Sequence, residues 1–449
     1  MNVQRAEGKP LTVPGKAKRD GEAVVAENRY GAKPHIWTAR MLTALEQGVK
    51  GGRWYSLIDK VFSERTLEEA ARRVTARRRK AAGVDHVKPE QFARRLPEEV
   101  AKLSKGLREG SYRPQAIRRV YIPKPGRREK RPLGIPTIRD RVVQAALRDV
   151  IEPIFEREFA EHSYGFRPGR SCKDALRRVD QLLKAGYRYI VDVDLKSYFD
   201  TIPHDRLMAR VAEKISDGKI LRLIEMFLKQ GVMDGLEEWT PEEGTPQGAI
   251  ISPLLSNIYL HPLDVLMAES GYEMVRYADD LVILCRSREE AEAALAKVQA
   301  WVEQEGLKLH PEKTQIRTYE EGFEFLGYRF LLGKRRYRFA ARKSLKKFKD
   351  RIRAKTRRTD GRSLQAIIAG VNRTLRGWFE YYKHASRPVH RDLDRWIRMR
   401  FRSILRKRLK LRGRGRGRDH QRWPNAFFAR QGLFSLLTAF EHACQSSRR

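Results

Sequence analysis

Residues 274–285 read Met-Val-Arg-Tyr-Ala-Asp-Asp-Leu-Val-Ile-Leu-Cys, two apolar runs pinched around Ala278-Asp279-Asp280. That pattern predicts a β-hairpin with an acidic tip, and Asp is an ordinary turn residue. Two adjacent carboxylates ahead of a buried-type run repel one another and lose hydration, so holding them together calls for a cation. A donor set made only of oxygens suits magnesium.

A second acidic segment lies upstream, Tyr189-Ile-Val-Asp-Val-Asp194-Leu-Lys-Ser-Tyr-Phe199-Asp200. Strand alternation puts Asp192 and Asp194 on one face and Tyr189, Val191 and Val193 on the other. Spacing alone leaves open whether Asp192, Asp194 or Asp200 faces the hairpin. If this strand pairs beside it, three carboxylates could hold two magnesium ions about 4 Å apart, the arrangement for in-line phosphoryl or nucleotidyl transfer. Polymerase and nuclease chemistry both qualify.

The partner for such chemistry is written in the charge. Lysine and arginine total 94 against 56 acidic residues, for a net charge of +38. Residues 331–449 alone hold 36 basic and 7 acidic residues, so +29 of that excess sits in the last quarter of the chain. A polyanion is implied. Lys124, Arg127, Arg128, Lys130 and Arg131 cluster about a Pro-Gly turn between residues 118 and 136, as a solvated loop or as a cradle for a triphosphate or strand backbone. Gly244-Thr-Pro-Gln247-Gly248 precedes an apolar stretch, and its glycines would let the backbone approach a ligand or primer end.

Beyond residue 360 the period changes to that of helices. Leu364, Ile367, Ile368, Val371, Leu375, Trp378, Phe379 and Tyr382 form one apolar stripe, which reads as core. Pro388 opens another helix with Leu393, Trp396, Ile397, Ile404 and Leu405 inward. Arg376 on the first helix and Arg395, Arg398, Arg402 and Arg406 on the second are thereby expected to face outward and bind RNA. Arg412-Gly-Arg-Gly-Arg-Gly-Arg418 reads as a spacer or an RNA contact, followed by a small helical unit. Residues 1–30 read as disordered, with an amphipathic helix near 36–47. Three scattered cysteines fit neither a disulfide framework nor a zinc site, and no apolar run is long enough to span a membrane. The expected setting is cytoplasmic.

From about Leu57 onward, ordered blocks resemble the reverse transcriptases encoded by group II introns, the intron maturases. The blocks are Ala82-Gly-Val-Asp85; Lys124-Pro through Arg131-Pro-Leu-Gly-Ile-Pro136; Ser163-Tyr-Gly-Phe-Arg-Pro-Gly-Arg170; Asp194 through Asp200; Thr245-Pro-Gln-Gly248; Tyr277-Ala-Asp-Asp280; Gly306 through Thr314; and Phe325-Leu-Gly-Tyr328. Leu375 through Tyr382 is similar to the family's thumb and maturase domain, and Trp423 through Ala429 to its DNA-binding region.

The resemblance implies an α+β right-hand polymerase: fingers and palm over 55–335 with an antiparallel palm sheet, a helical thumb/maturase domain over 336–410, and a basic linker with a small DNA-binding region over 411–449. Residues 1–54 would be a partly disordered extension. It implies that Asp194, Asp279 and Asp280 are the catalytic, metal-holding carboxylates for two Mg2+ ions. Lys124, Arg131, Phe199, Gln247 and Lys313 would bind the dNTP, Phe199 as a steric gate against the ribose 2'-hydroxyl. Phe325, Leu326, Gly327 and Tyr328 would grip the primer.

Two local departures from the family pattern stand out. The Lys124-to-Arg131 loop is one residue longer than the commonest form, so Lys130 could replace Arg131, and His86 stands where Gly is usual. The many family members with a C-terminal HNH endonuclease differ from this chain, for which second-strand cleavage is not expected.

The implied function is RNA-directed DNA synthesis by a bacterial, nucleoid-associated protein. It would also bind its group II intron RNA, assist splicing and copy the intron at a DNA target during retrohoming, with the primer drawn from existing DNA ends. The alternatives are a splicing-only maturase with an idle polymerase site and a host-adopted reverse transcriptase acting in DNA repair. Oligomeric state is left open.

Overall fold

The computed structural model describes residues 30–76, 81–123, 130–235, 237–411 and 417–446. Residues 1–29, Lys124 with Arg127 and Arg128, and residues 412–416 of the Arg-Gly linker lie outside them.

The two acidic segments become neighbouring strands. Tyr189–Asp194 (β3) lies between Asp280–Cys285 (β7) and Gln315–Thr318 (β8), and β7 pairs in turn with Glu273–Tyr277 (β6). All three pairings are antiparallel, giving the sheet order β6-β7-β3-β8. The register sets Asp194 opposite Asp280 and Asp192 opposite Val282. Residues directly opposite share a face, so Asp192, Asp194 and Asp280 lie on one side of this palm sheet.

Alternation builds two cores. Val191, Val193, Leu281, Ile283 and Cys285 join the larger one, which also takes in the helices Ser252–Glu269 and Arg288–Gln304. Ile190, Val275, Val282 and Leu284 point the other way, into a second core with the helix Cys172–Lys184. That second core is completed by a three-stranded sheet of Phe323–Phe325 (β9), Tyr328–Leu332 (β10) and Arg336–Ala340 (β11). The sheet therefore runs past residue 335.

The fingers carry the basic hairpin. Ile117–Pro123 (β1) and Lys130–Ile135 (β2) pair antiparallel, and two short strands, Val232–Asp234 (β4) and Glu237–Trp239 (β5), extend the sheet in the order β2-β1-β4-β5. At its N-terminal edge the chain is more than an extension. Ile36 and Trp37 are 2% exposed in the larger core, and the helix expected near 36–47 forms as Ala39–Gln47.

The C-terminal helices Arg342–Lys355, Leu364–Tyr382 and Arg387–Arg408 enclose a third core, with the Leu364–Leu375 stripe buried as expected. The last helices, Asn425–Arg430 and Leu436–Ser446, are not a separate unit, because Trp423, Phe428 and Leu436 belong to that same core. This docking corrects the outward arginines. Arg402 is 2% exposed and donates to the Trp423 carbonyl at 3.0 Å and to Asn425 Oδ1 at 3.1 Å. Arg406 pairs with Asp419 at 2.8 Å, and Arg398 is mostly covered beside Asp394. Only Arg376 and Arg395 of the five face solvent. A second layer of helix lies over the arginine face, which the apolar stripe alone does not announce.

No helix among the described residues is long and apolar enough to cross a membrane.

Candidate active site

The hairpin turn between β6 and β7 places Asp279 at a cleft with about 650 Å³ of room. Around it stand Asp194 at the end of β3, Phe199 on a short helical turn, Gln247 and Gly248 from the Gly-Thr-Pro-Gln loop, Arg131 on β2, and Lys313. Seven residues singled out from distant parts of the sequence thus line one space. Arg131 rather than its strand neighbour Lys130 does so, because alternate strand residues point to opposite faces. Lys124 lies outside the described residues.

Asp280 is not among the residues lining the cleft. It sits below the turn, where the Leu326 backbone N–H bonds to it, and burial pushes its carboxyl up to about 7, with Asp192, Asp279 and Asp194 adding to the rise. Burial likewise raises Asp279, helped by the charge of Asp194 and opposed by Arg131 and Arg276. Asp192, pushed up to about 6 by burial, lies deeper along β3 beside Arg317. Asp200 lines the cleft and takes the Gln247 amide at 3.3 Å.

Like charges gathered under burial are what a bound cation relieves. Here the Lys313 ammonium stands 2.8 and 3.0 Å from the two oxygens of Asp194. The carboxylates offer the hard oxygen donors that a divalent ion takes, with Asp194 paired to Lys313 in this arrangement. Among the described residues no group of three or more potential ligands is gathered closely enough to hold an ion by itself.

The expected primer grip needs correction at its ends. Phe325 and Tyr328 are 1% and 2% exposed, packed in the second core, so neither ring can touch a primer. Only the turn between them, Leu326 and Gly327, reaches the surface, both at positive φ. Its carbonyls accept hydrogen bonds from the Tyr381 hydroxyl at 2.7 Å and the Tyr382 hydroxyl at 3.3 Å, which ties the turn to the thumb helix.

The glycines of the Gly-Thr-Pro-Gln loop serve the protein itself. Gly248 has φ +113, and a Cβ there would sit 2.4 Å from the Gly134 carbonyl of β2. The close neighbour is backbone of the fingers sheet.

Sequence reasoning missed Arg276. It is fully buried, with Nε 2.7 Å from Asp264 Oδ1 and a second, shorter bond to Asp264 Oδ2, and Nη1 donates at 3.0 Å to both Asn257 Oδ1 and the Ala278 carbonyl. Asn257 in turn donates to the Gly165 carbonyl at 2.8 Å. A Cβ on Gly165 would stand 2.2 Å from the Ala278 nitrogen, so the Ser163–Arg170 block is packed directly on the turn. Ala278 itself is at φ +60. An arginine between apolar residues in a strand gives no sign of this in sequence, since its partners are 12 and 19 residues away on a helix.

Comparison with known proteins fits this geometry. Residues 122–330 match the model described as "Reverse transcriptase (RNA-dependent DNA polymerase)", and residues 345–423 match "Group II intron, maturase-specific domain". Protein YkfC of Escherichia coli (strain K12) is 37% identical over 311 residues, covering 60% of this chain and 81% of that protein. Group II intron-encoded protein LtrA of Lactococcus lactis subsp. cremoris is 44% identical over 167 residues, 37% of this chain and 28% of that protein. An uncharacterized 91 kDa protein in the cob intron of Schizosaccharomyces pombe is 32% identical over 336 residues, 56% of this chain and 42% of that protein.

A palm sheet with acidic residues at a cleft, a reverse transcriptase match and a maturase-specific domain define an RNA-directed DNA polymerase. The chain belongs to the family of group II intron-encoded reverse transcriptases and maturases.

Proposed function

We propose that the cleft copies group II intron RNA into DNA, and that the same molecule binds that RNA during splicing and carries it to a DNA target for retrohoming. The convergence of Asp194, Asp279, Arg131, Phe199, Gln247 and Lys313 on one cleft carries the reading. Asp194 and Asp279, with Asp280 beneath them, would hold two magnesium ions. When bound, the ions supply Lewis-acid activation of the primer 3'-oxygen and charge stabilisation of the leaving pyrophosphate.

The chain's own residues position the rest. Arg131 and Lys313 offer cations to the triphosphate, and Lys313 leaves Asp194 as it does so. The Phe199 ring, held edge-on to Tyr198 at 5.4 Å and lining the cleft, would serve as the steric gate against a ribose 2'-hydroxyl. Gln247, braced by Asp200, orients the incoming nucleotide. The Leu326-Gly327 turn presents the primer end. Arg376 and Arg395, with the exposed lysines and arginines of the thumb, give the RNA a phosphate-binding surface whose affinity falls as salt rises.

Splicing and copying are separable on this reading. Asp279→Ala abolishes cDNA synthesis on intron RNA while RNA binding and protein-assisted splicing persist, measured side by side on the same transcript. Loss of splicing in a folded Asp279→Ala protein would contradict it.

A further inference from the structure

The fingers sheet has an aromatic face at the edge of the polymerase cleft. The strand registers place Ile117, Val232 and Trp239 in one row, and Arg119 and Tyr121 follow Ile117 on the same face at two-residue steps. The Arg119 guanidinium stands 5.5 Å from the centre of the Tyr121 ring and 5.1 Å from that of Trp239. The Tyr121 hydroxyl donates to Asp234 at 2.5 Å, which fixes the ring. Both rings nonetheless remain in solvent, 46% exposed for Tyr121 and 38% for Trp239.

Arg119 and Trp239 line a second cavity, of about 190 Å³, that shares Pro132, Phe199, Asp200 and Gln247 with the polymerase cleft. Asp194, Asp279 and Lys313 line the cleft only. A direction follows from this division. The primer end belongs at the carboxylates and the incoming nucleotide between them and Phe199. Past Phe199 no product strand yet exists, so nucleic acid there is template still to be copied, with its base unpaired.

We propose that Tyr121, Arg119 and Trp239 form a stacking platform for the first unpaired template base ahead of the one being copied. Stacking on aromatic and guanidinium planes accepts any base, as a copying enzyme requires. Asp234 and Glu243 offset the charge of Arg119 at this edge, so the contact is with the base and depends less on salt than phosphate binding does.

The inference rests on the polymerase reading, and its test reports separately from it. The full chain is bound, without dNTP, to a primer–template bearing 5-iodouridine at the second unpaired template position, one beyond the base to be copied, then irradiated and mapped. Crosslinks are expected at Tyr121 or Trp239, and are lost when the label is moved into the duplex. The double variant Tyr121→Ala/Trp239→Ala, both side chains being exposed, should bind the overhanging template roughly tenfold more weakly. Its binding to a blunt duplex should be unchanged, and the loss should vary less with salt than that duplex binding does. Crosslinks elsewhere, or an equal loss on blunt duplex, overturn the platform. Primer extension by the same wild-type preparation is the separate control: its absence would sink the polymerase reading, whereas extension with crosslinks elsewhere would sink the platform alone.

Discussion

Arg276 bonds to the acidic turn at the cleft and to the helix packed against it. Its bonds to Asp264, Asn257 and the Ala278 carbonyl fix a turn whose first residue is held at φ +60. Ala278 has company: Phe166, Ser197 and Leu326 are further non-glycine residues at positive φ beside the cleft or its carboxylates. Such conformations cost about 1–2 kcal/mol each and persist where surrounding structure enforces them. Arg276→Lys should therefore lower kcat roughly 100-fold, as a displacement of about 1 Å at the turn would, with KM for dTTP nearly unchanged. Arg276→Met should lose about 3–5 kcal/mol of stability because Asp264 is left buried and unpaired. Adding Asp264→Leu should restore stability in urea but not kcat; recovery of both would reduce Arg276 to a packing role. The acidic pair itself was legible because carboxylates interrupt an apolar strand pattern. Arg276 was not, since nothing local marks its distant partners. His86 is a smaller case of legibility: it occupies a position where the family resemblance expects Gly, and its φ is +55.

Elements that look alike in sequence divide in use once packed. On the helix Arg387–Arg408, Arg395 and Arg402 read equally as outward arginines, yet Arg402 closes onto Trp423, Asn425 and the Phe428 ring. Arg402→Ala should cost roughly 3 kcal/mol in equilibrium unfolding by releasing the last helices. Arg395→Ala should stay within about 0.5 kcal/mol of wild type while weakening RNA binding in a salt-titrated filter assay. The reverse ranking would contradict the packing. The helix stripe from Leu364 to Tyr382 was readable because helical period is local; the cover on the arginine face depends on residues 13 to 23 further on.

The buried helix Ile138–Glu156 offers a test by pH. Burial pushes Glu152 up to about 7 against an ordinary 4.5. The folded state then holds a proton that the unfolded chain has released, so stability falls as pH rises from about 4.5 to 7 and is level above. The span corresponds to roughly 3 kcal/mol. Glu152→Gln should match wild type in urea midpoint near pH 4.5, exceed it increasingly up to about pH 7 and keep that lead to pH 8. A constant difference across that range would put the helix in a different environment.

Across the whole molecule, two joints hold the cleft together. Tyr381 and Tyr382 of the thumb bond to the carbonyls of the Leu326-Gly327 turn, and that turn's N–H reaches Asp280 beneath the carboxylates. On the other side, the Gly134 nitrogen of the fingers donates to the Gln247 carbonyl at 2.7 Å. Palm and fingers thus both line the cleft, and the thumb is tied to the turn that bonds Asp280 beneath it, while the +29 of the last 119 residues supplies the long-range pull on nucleic acid. Primer extension on poly(rA)/oligo(dT) with dTTP and magnesium, comparing wild type with Asp279→Ala, tests that arrangement most directly. Extension by wild type and none by a folded Asp279→Ala protein is the predicted result; equal extension by both, or none by a folded wild type that binds RNA, would contradict it.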